Sequence, residues 1–468
     1  MSPQVEMIPF EYVRSGLVVL LALTFAGSAS AQPGTQILTH ALDSAARAHV
    51  ANPLVPGVSV AVVRGGEVLL KRGYGFVDLE WGVRTPAEGD ASYEIGSVTK
   101  QFTAAAILLL AEEGLIDLDA DISEYIDFDT RGRSIPVRRL LDHTSGVRSY
   151  TEMPIFGMLS ALDLPRDTLV RLVENEPFDF EPGQAQIYNN SAFFLLGLMV
   201  ESLSGRSYED FVQERLFDPA GMTSSYYCDE VAIRNRRAHG YDVAGSEGLI
   251  RARYLNHVWP YAAGSLCSTV GDLVKWNEAL HGGRILSDGS YREMTTARPL
   301  DDGSSIQYAM GISDALRGDT PVNSHGGGIN GFVSMLAWYP EHRLTVVVLQ
   351  NSTGSPGAGA LASSFANLIL GPPMSASAPA FDGRLQDLEG TYRGPARGGM
   401  MELRVRAVGG RLEVSASGSD APVVPRFVGE LTWASDGIRY EFRREGDGIG
   451  QLRFVGGSAH YVLERVAS

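Results

Sequence analysis

Strand-like runs stand at both ends of one long stretch of this chain, with helical ones between, and that layout limits the folds open to it. Residues 58–63 and 68–74 are β-rich and meet at Arg64-Gly65-Gly66-Glu67, a hairpin signal. Residues 331–339 and 344–350 form a second hairpin turned at Pro340-Glu341-His342-Arg343. From 115 to 300 the pattern is helical pieces with long loops, at 138–142, 168–175, 191–204, 208–217, 269–280 and 290–295. One sheet assembled from both ends, with a helical insertion, accommodates all of it. Helical periodicity at 36–51 and 358–370 supplies covers for that sheet.

A second stretch carries chemistry. Ser97 and Lys100 lie three residues apart, which on a helix puts them on one side, a turn from each other. The run from Ala104 to Leu110 that follows is apolar on nearly all sides and belongs in a core. A hydroxyl is a poor nucleophile without an adjacent base, and a lysine serves as one only when burial depresses its pKa. The start of a buried helix offers that burial. The bland alternative is a serine near a helix start with a solvated lysine one turn on. Lys71, Lys100 and Lys275 are the only lysines.

Composition bounds the rest. The 468 residues suit two or three domains and can bury a large core. A formal charge of −16 with no basic patch argues against nucleic acid as a partner. Residues 16–26 are apolar but short for a bilayer span, and Ala29-Ser30-Ala31 is a small-residue cleavage pattern. Residues 1–31 therefore read as a signal peptide, with the mature chain starting at Gln32. Glu6 and Glu11 are atypical of such a leader, so a start at Met7 and an uncleaved membrane anchor are the alternatives. Export means an oxidising compartment, where Cys228 and Cys267 either pair or stay as buried thiols. Neither has the spacing of a zinc site.

Two further segments bear on Ser97. In Tyr188-Asn189-Asn190, extended backbone projects Tyr188 and Asn190 the same way, into one cleft; the bland reading is a loop tyrosine and an asparagine helix cap. In Ser324-His325-Gly326-Gly327-Gly328, glycines let backbone approach a ligand and leave N–H groups free; the bland reading is a flexible loop. His143, in Asp142-His143-Thr144-Ser145-Gly146, reads as structural, closing a helix and turn. Residues 372–381 read as a linker. Short strands at 401–408, 411–416, 426–431, 438–443, 451–455 and 460–466 then suggest a small antiparallel barrel or sandwich without a catalytic constellation, a stabilising or docking appendage.

Ser97-x-x-Lys100, Tyr188-x-Asn190 and His325-x-Gly327, in that order, resemble the three signature elements of the serine β-lactamase and penicillin-binding-protein superfamily. His143-Thr144-Ser145-Gly146 and Asp272-Leu273-x-x-Trp276 are similar to its esterase and D-peptidase branch. The resemblance implies an α/β fold with a β-lactamase/transpeptidase-like domain over 35–371, in which an antiparallel sheet is flanked by helices and joined to a helical subdomain. Residues 382–468 are similar to the small β-barrel appended in this branch. It further implies an acyl-enzyme at Ser97, Lys100 and Tyr188 moving the proton, backbone N–H groups of Ser97 and Gly328 holding the oxyanion, and Asn190 orienting the substrate. His325 and Gly327 would line the substrate site. No metal or cofactor is called for, and the partner would be a small-molecule or peptide substrate, including peptidoglycan-derived ones. His325 stands where many relatives carry lysine, and a histidine holds a carboxylate less well at pH 7. That departure favours an exported esterase or D-peptidase, periplasmic or secreted in a bacterium. A β-lactamase, a penicillin-binding cell-wall enzyme or a non-catalytic module keeping the fold are the alternatives. The loops at 147–165 and 225–260 are expected to set specificity.

Overall fold

A computed structural model describes residues 33–245, 248–373, 380–419, 421–435, 437–446 and 448–466. The leader-like segment 1–31 and residues 374–379 of the expected linker lie outside them. Among the described residues no helix is long and apolar enough to cross a membrane.

Both ends of the long stretch do meet in one sheet. Strands β1 (Gly57–Arg64), β2 (Glu67–Asp78) and β3 (Val83–Arg84) join β4 (Ser313–Arg317), β5 (Thr320–Ile329), β6 (Phe332–Tyr339) and β7 (Leu344–Gln350). All pair antiparallel, in the order β4-β5-β6-β7-β1-β2-β3. The junction is β1 on β7, with Val58 opposite Gln350 and Arg64 opposite Leu344. Both strands are buried on both faces and so read as continuous apolar runs.

Five helices matter for the site: α1 (Pro33–Val50), α2 (Thr99–Glu112), α3 (Asn190–Ser204), α4 (Val270–His281) and α5 (Ala358–Leu370). Helices α1 and α5 cover one face of the sheet, where Leu42 and Phe365 pack with Val60, Val62, Val346 and Val348. Alternate residues, Ala61, Val347 and Leu349, face the helical block, whose core holds Phe102, Phe193, Tyr261 and Trp276. Helix α2 runs through this core with every residue from Thr99 to Leu110 buried. That explains an apolar pattern without a polar stripe.

The segment around His325 is more ordered than a glycine loop. Ser324 to Gly328 lie inside β5, which pairs with β4 on one side and β6 on the other. His325 to Gly328 pair with β6 alone, since β4 reaches only to Ser324, and that one ladder imposes a strand on residues with little strand propensity of their own.

Among the described residues the C-terminal segment forms eight strands in a nearly closed antiparallel barrel: β8 (Gly390–Ala396), β9 (Gly399–Val408), β10 (Arg411–Ala416), β11 (Arg426–Gly429), β12 (Thr432–Ser435), β13 (Ile438–Glu445), β14 (Gly448–Gly456) and β15 (Ala459–Arg465). Sequence pattern overlooked β8 and β12, and it ran β11 on into the turn that follows it. Glu430 and Leu431 there take φ of 44° and 42°, a hairpin turn made without glycine. The barrel does not stand apart. Its last strand, β15, also pairs with Gln186 and Ile187, placing Ala459 opposite Ile187 and His460 opposite Gln186. Tyr188 is the next residue.

Candidate active site

Ser97 sits on a single 3-10 turn, Gly96–Val98, that leads directly into α2. The turn packs against β5 at a distance only glycine allows. Gly96 has φ of 51°, and a Cβ there would stand 2.9 Å from the Gly328 nitrogen. A Cβ on Gly327 would stand 2.0 Å from the Ile95 carbonyl and 2.2 Å from Ser334 Oγ. Ser334 fixes this contact by donating to the same Ile95 carbonyl at 2.8 Å. Gly327 therefore admits the Ser97 turn, where its spacing suggested contact with a ligand. The result sets the backbone of Gly96-Ser97 beside that of Gly328.

Lys100, one turn along, is fully buried. Its Nζ lies 3.2 Å from Ser97 Oγ, 2.7 Å from Asn190 Oδ1 and 2.8 Å from the Ala263 carbonyl. Burial lowers its pKa well below the usual lysine range, and the positive charge of Arg397 lowers it further. A neutral amine has two N–H groups and one lone pair. Asn190 Oδ1 and the carbonyl only accept, so both N–H groups go to them and the lone pair faces the serine hydroxyl. The Ala263 carbonyl is invisible in the sequence as a ligand. The segment carrying it is tied to α2 by Thr103 Oγ1, which donates to the Ala262 carbonyl at 2.6 Å.

Asn190 opens α3, capped by Asn189, whose side chain accepts from the Ala192 N–H. Its Nδ2 donates to Thr151 Oγ1 at 3.1 Å and its Oδ1 holds Lys100. The side chain expected to orient substrate is thus engaged at both ends, and it orients the lysine.

Tyr188 projects from the end of the Gln186–Ile187 strand into the cleft. Its ring lies between a lysine nitrogen and a guanidinium, with Lys100 Nζ 4.8 Å and Arg397 Cζ 5.2 Å from the centroid. Burial raises the phenol's pKa, while Ser97 and Arg397 act in the opposite direction. The hydroxyl makes no hydrogen bond of good geometry among the described residues, although Ser97 is close enough to favour its ionised form. His143 packs its ring 4.3 Å from that of Tyr188 and accepts the Asn189 N–H on Nδ1. Burial holds it neutral. It is a support for the Tyr188-Asn189-Asn190 segment, in line with a structural role.

His325 lies where β5 borders the cleft. Both of its ring nitrogens are spent. Nδ1 faces the Gly326 carbonyl at 2.6 Å and must carry the hydrogen, so Nε2 accepts from the Tyr308 hydroxyl at 2.8 Å. Burial, aided by the charge of Lys100, lowers its pKa to about 3. At neutral pH it offers a substrate neither charge nor a free donor.

The cleft has a volume of about 480 Å³ and is lined by Ser97, Tyr188, Asn190, Tyr308, His325 and the glycines of β5, together with Ser313 and Ser324. Arg397, Gly457 and Ser458 complete it. These three come from the barrel, on the β8–β9 and β14–β15 turns. A barrel expected to be an appendage closes one side of the cleft. Among the described residues, the loops expected to set specificity, 147–165 and 225–260, do not line it. Residues of 229–255 line a separate cavity with Glu94. Cys228 and Cys267 are disulfide-bonded, which settles the alternative left open by the sequence. They tie Tyr226–Tyr227 to Leu266–Ser268, a strand that also pairs with Tyr93–Glu94 just ahead of Ser97.

A half-buried serine with a fully buried lysine at the head of a core helix, beside a glycine strand and a Tyr-x-Asn segment, defines a serine hydrolase of the β-lactamase type. The chain belongs to the Beta-lactamase family, whose model matches residues 42–370. It is similar to the D-aminopeptidase of Brucella canis, with 28% identity over 396 residues, 84% of this chain and 73% of that protein. Among solved structures it resembles the D-amino acid amidase from Ochrobactrum anthropi SV3 complexed with D-phenylalanine. The TM-score is 0.63 at 26% identity, covering 71% of this chain and 98% of that one. It also resembles an octameric penicillin-binding protein homologue from Pyrococcus abyssi, with TM-score 0.62 and 26% identity, covering 90% of this chain and 99% of that one.

Proposed function

We propose that this chain is an exported hydrolase that cleaves esters or amides of D-amino acids, including short D-peptides, through an acyl-enzyme on Ser97. The observation that carries the reading is the set of three contacts at Lys100 Nζ. As the Ser97 oxygen bonds to the substrate carbonyl carbon, its proton passes to the Lys100 lone pair. The oxyanion forms beside the backbone N–H groups of Ser97 and Gly328. The departing nitrogen or oxygen takes a proton from Lys100, with Tyr188 beside it as the relay, and its bond to the carbonyl carbon breaks. Water then repeats the sequence on the acyl-enzyme and frees Ser97. The D-preference is supported by the similarity to a D-aminopeptidase and a D-amino acid amidase. Export is supported by the Cys228–Cys267 bond together with the apolar segment and Ala29-Ser30-Ala31.

The test is turnover of matched D- and L-alanine p-nitroanilides and of a short-chain p-nitrophenyl ester by the chain beginning at Gln32. Faster cleavage of the D-anilide, lost in Ser97→Ala, is expected. Equal rates on both enantiomers would remove the D-preference, and no turnover of any of the three would remove the hydrolase.

A further inference from the structure

On the glycine strand β5 the cleft meets His325, a histidine that carries neither charge nor a free donor. Among the residues lining the cleft one side chain is charged, Arg397, and it arrives from the barrel. We propose that Arg397 is the specificity-determining cation of the Ser97 cleft and takes an anionic group, a carboxylate, on the half of the substrate that departs.

Four observations carry this. The guanidinium's only hydrogen bond among the described residues runs from Nε to Glu152 Oε1 at 2.7 Å, so both terminal nitrogens are unused. The side chain is 45% exposed, so those nitrogens are open to a ligand. A planar fork with free N–H groups matches a carboxylate. The position follows from Tyr188. Arg397 lies over its ring, and Tyr188 stands beside Ser97, where the proposed mechanism protonates the leaving group.

The barrel fixes the geometry. Arg397 occupies the two-residue turn between β8 and β9, and Ser458 the equivalent turn between β14 and β15. The pairing of Ala459 with Ile187 holds that end of the barrel against the chain one residue before Tyr188. Arg453 on β14 reinforces the join through an ion pair to Asp302. Glu152, the internal partner, shows that the guanidinium accepts a carboxylate in this place, and its contact is one that an incoming anion can share or displace.

The inference rests on Ser97 being the nucleophile, and the test separates the two. Ser97 is labelled with a fluorophosphonate, and protection by D-alanyl-D-alanine is compared with protection by its C-terminal amide, which differs only in the anion. In the wild type the free acid should half-protect at a concentration at least tenfold below that of the amide. In Arg397→Gln the two should converge, and Arg397→Lys should keep part of the difference. Removing Arg397 also alters Lys100, but that change acts on acid and amide alike and cancels in their ratio. Labelling of unprotected Arg397→Gln at Ser97 shows that the variant is folded. Equal protection by acid and amide in the wild type, or an undiminished preference in Arg397→Gln, overturns the proposal. Failure of the probe to label wild-type Ser97 overturns the hydrolase reading and this inference with it.

Discussion

Lys100 Nζ stands 3.2 Å from Ser97 Oγ and is held there by two groups that only accept, Asn190 Oδ1 and the Ala263 carbonyl. With no carboxylate among its partners, the cost of burying an ammonium outweighs what its neighbours return, and the pKa lies well below the usual lysine range, which favours the neutral amine. Its lone pair is then aimed at the one neighbour that has a proton to give.

Replacing this lysine removes the base and leaves the rest of the α2 core in place. Lys100→Ala should lower kcat/KM about 10²- to 10⁴-fold, the usual worth of a positioned general base. Circular dichroism should show an unchanged fold. Equal kcat/KM in variant and wild type would take the lysine out of the mechanism.

The same geometry fixes a pH dependence. Activity needs the neutral amine, so kcat/KM is lost as pH falls through the Lys100 pKa and is retained above it. Arg397 is one of the causes holding that pKa down. Arg397→Gln should therefore raise it and move the acid limb of the pH profile to higher pH. His325, neutral down to about pH 3, contributes nothing to that limb. An acid limb that stays in place in Arg397→Gln contradicts the electrostatic account.

Two adjacent glycines should behave very differently. A Cβ on Gly327 meets the Ile95 carbonyl at 2.0 Å, whereas a Cβ on Gly326 first meets the flexible Met335 Cε at 3.4 Å. Gly327→Ala must push β5 away from the Ser97 turn, and at least a tenfold loss of kcat/KM with a lowered Tm is expected. Gly326→Ala should stay within about twofold of wild type. Similar effects at both positions, measured by melting and kinetics, would contradict the packing described.

The Cys228–Cys267 bond closes a loop with a sequence separation of 39 and braces the strand beside Tyr93–Glu94. A double Cys228→Ser, Cys267→Ser variant should lose about 2–4 kcal/mol of stability in denaturant unfolding. Unfolding midpoints matching the wild type would show that the bond adds nothing.

Much of this was legible in the sequence, for physical reasons. A three-residue spacing on a helix brings Ser97 and Lys100 together whatever surrounds them. Valine-rich runs such as those of β1 and β7 can only be strands buried on both faces. Other features depend on contacts that no local pattern records. His325 read as a substrate contact because its partners, the Tyr308 hydroxyl and the Gly326 carbonyl, are chosen by the pairing of β5. Asn190 read as a substrate ligand because the approach of Lys100 comes from a helix 90 residues earlier. Arg397 lies on a short barrel turn that resembles any other. Only the register of Ala459 on Ile187 carries it to Tyr188.

The central claim is that Ser97, activated by a neutral Lys100, is the acylated residue. Intact-mass measurement followed by peptide mapping of the fluorophosphonate-treated chain tests it most directly. One adduct on the peptide containing Ser97, formed by the wild type, slowed at least 10²-fold in Lys100→Ala and absent in Ser97→Ala, is the predicted result. An adduct on a different residue, or labelling of Ser97 at the same rate without Lys100, would contradict it.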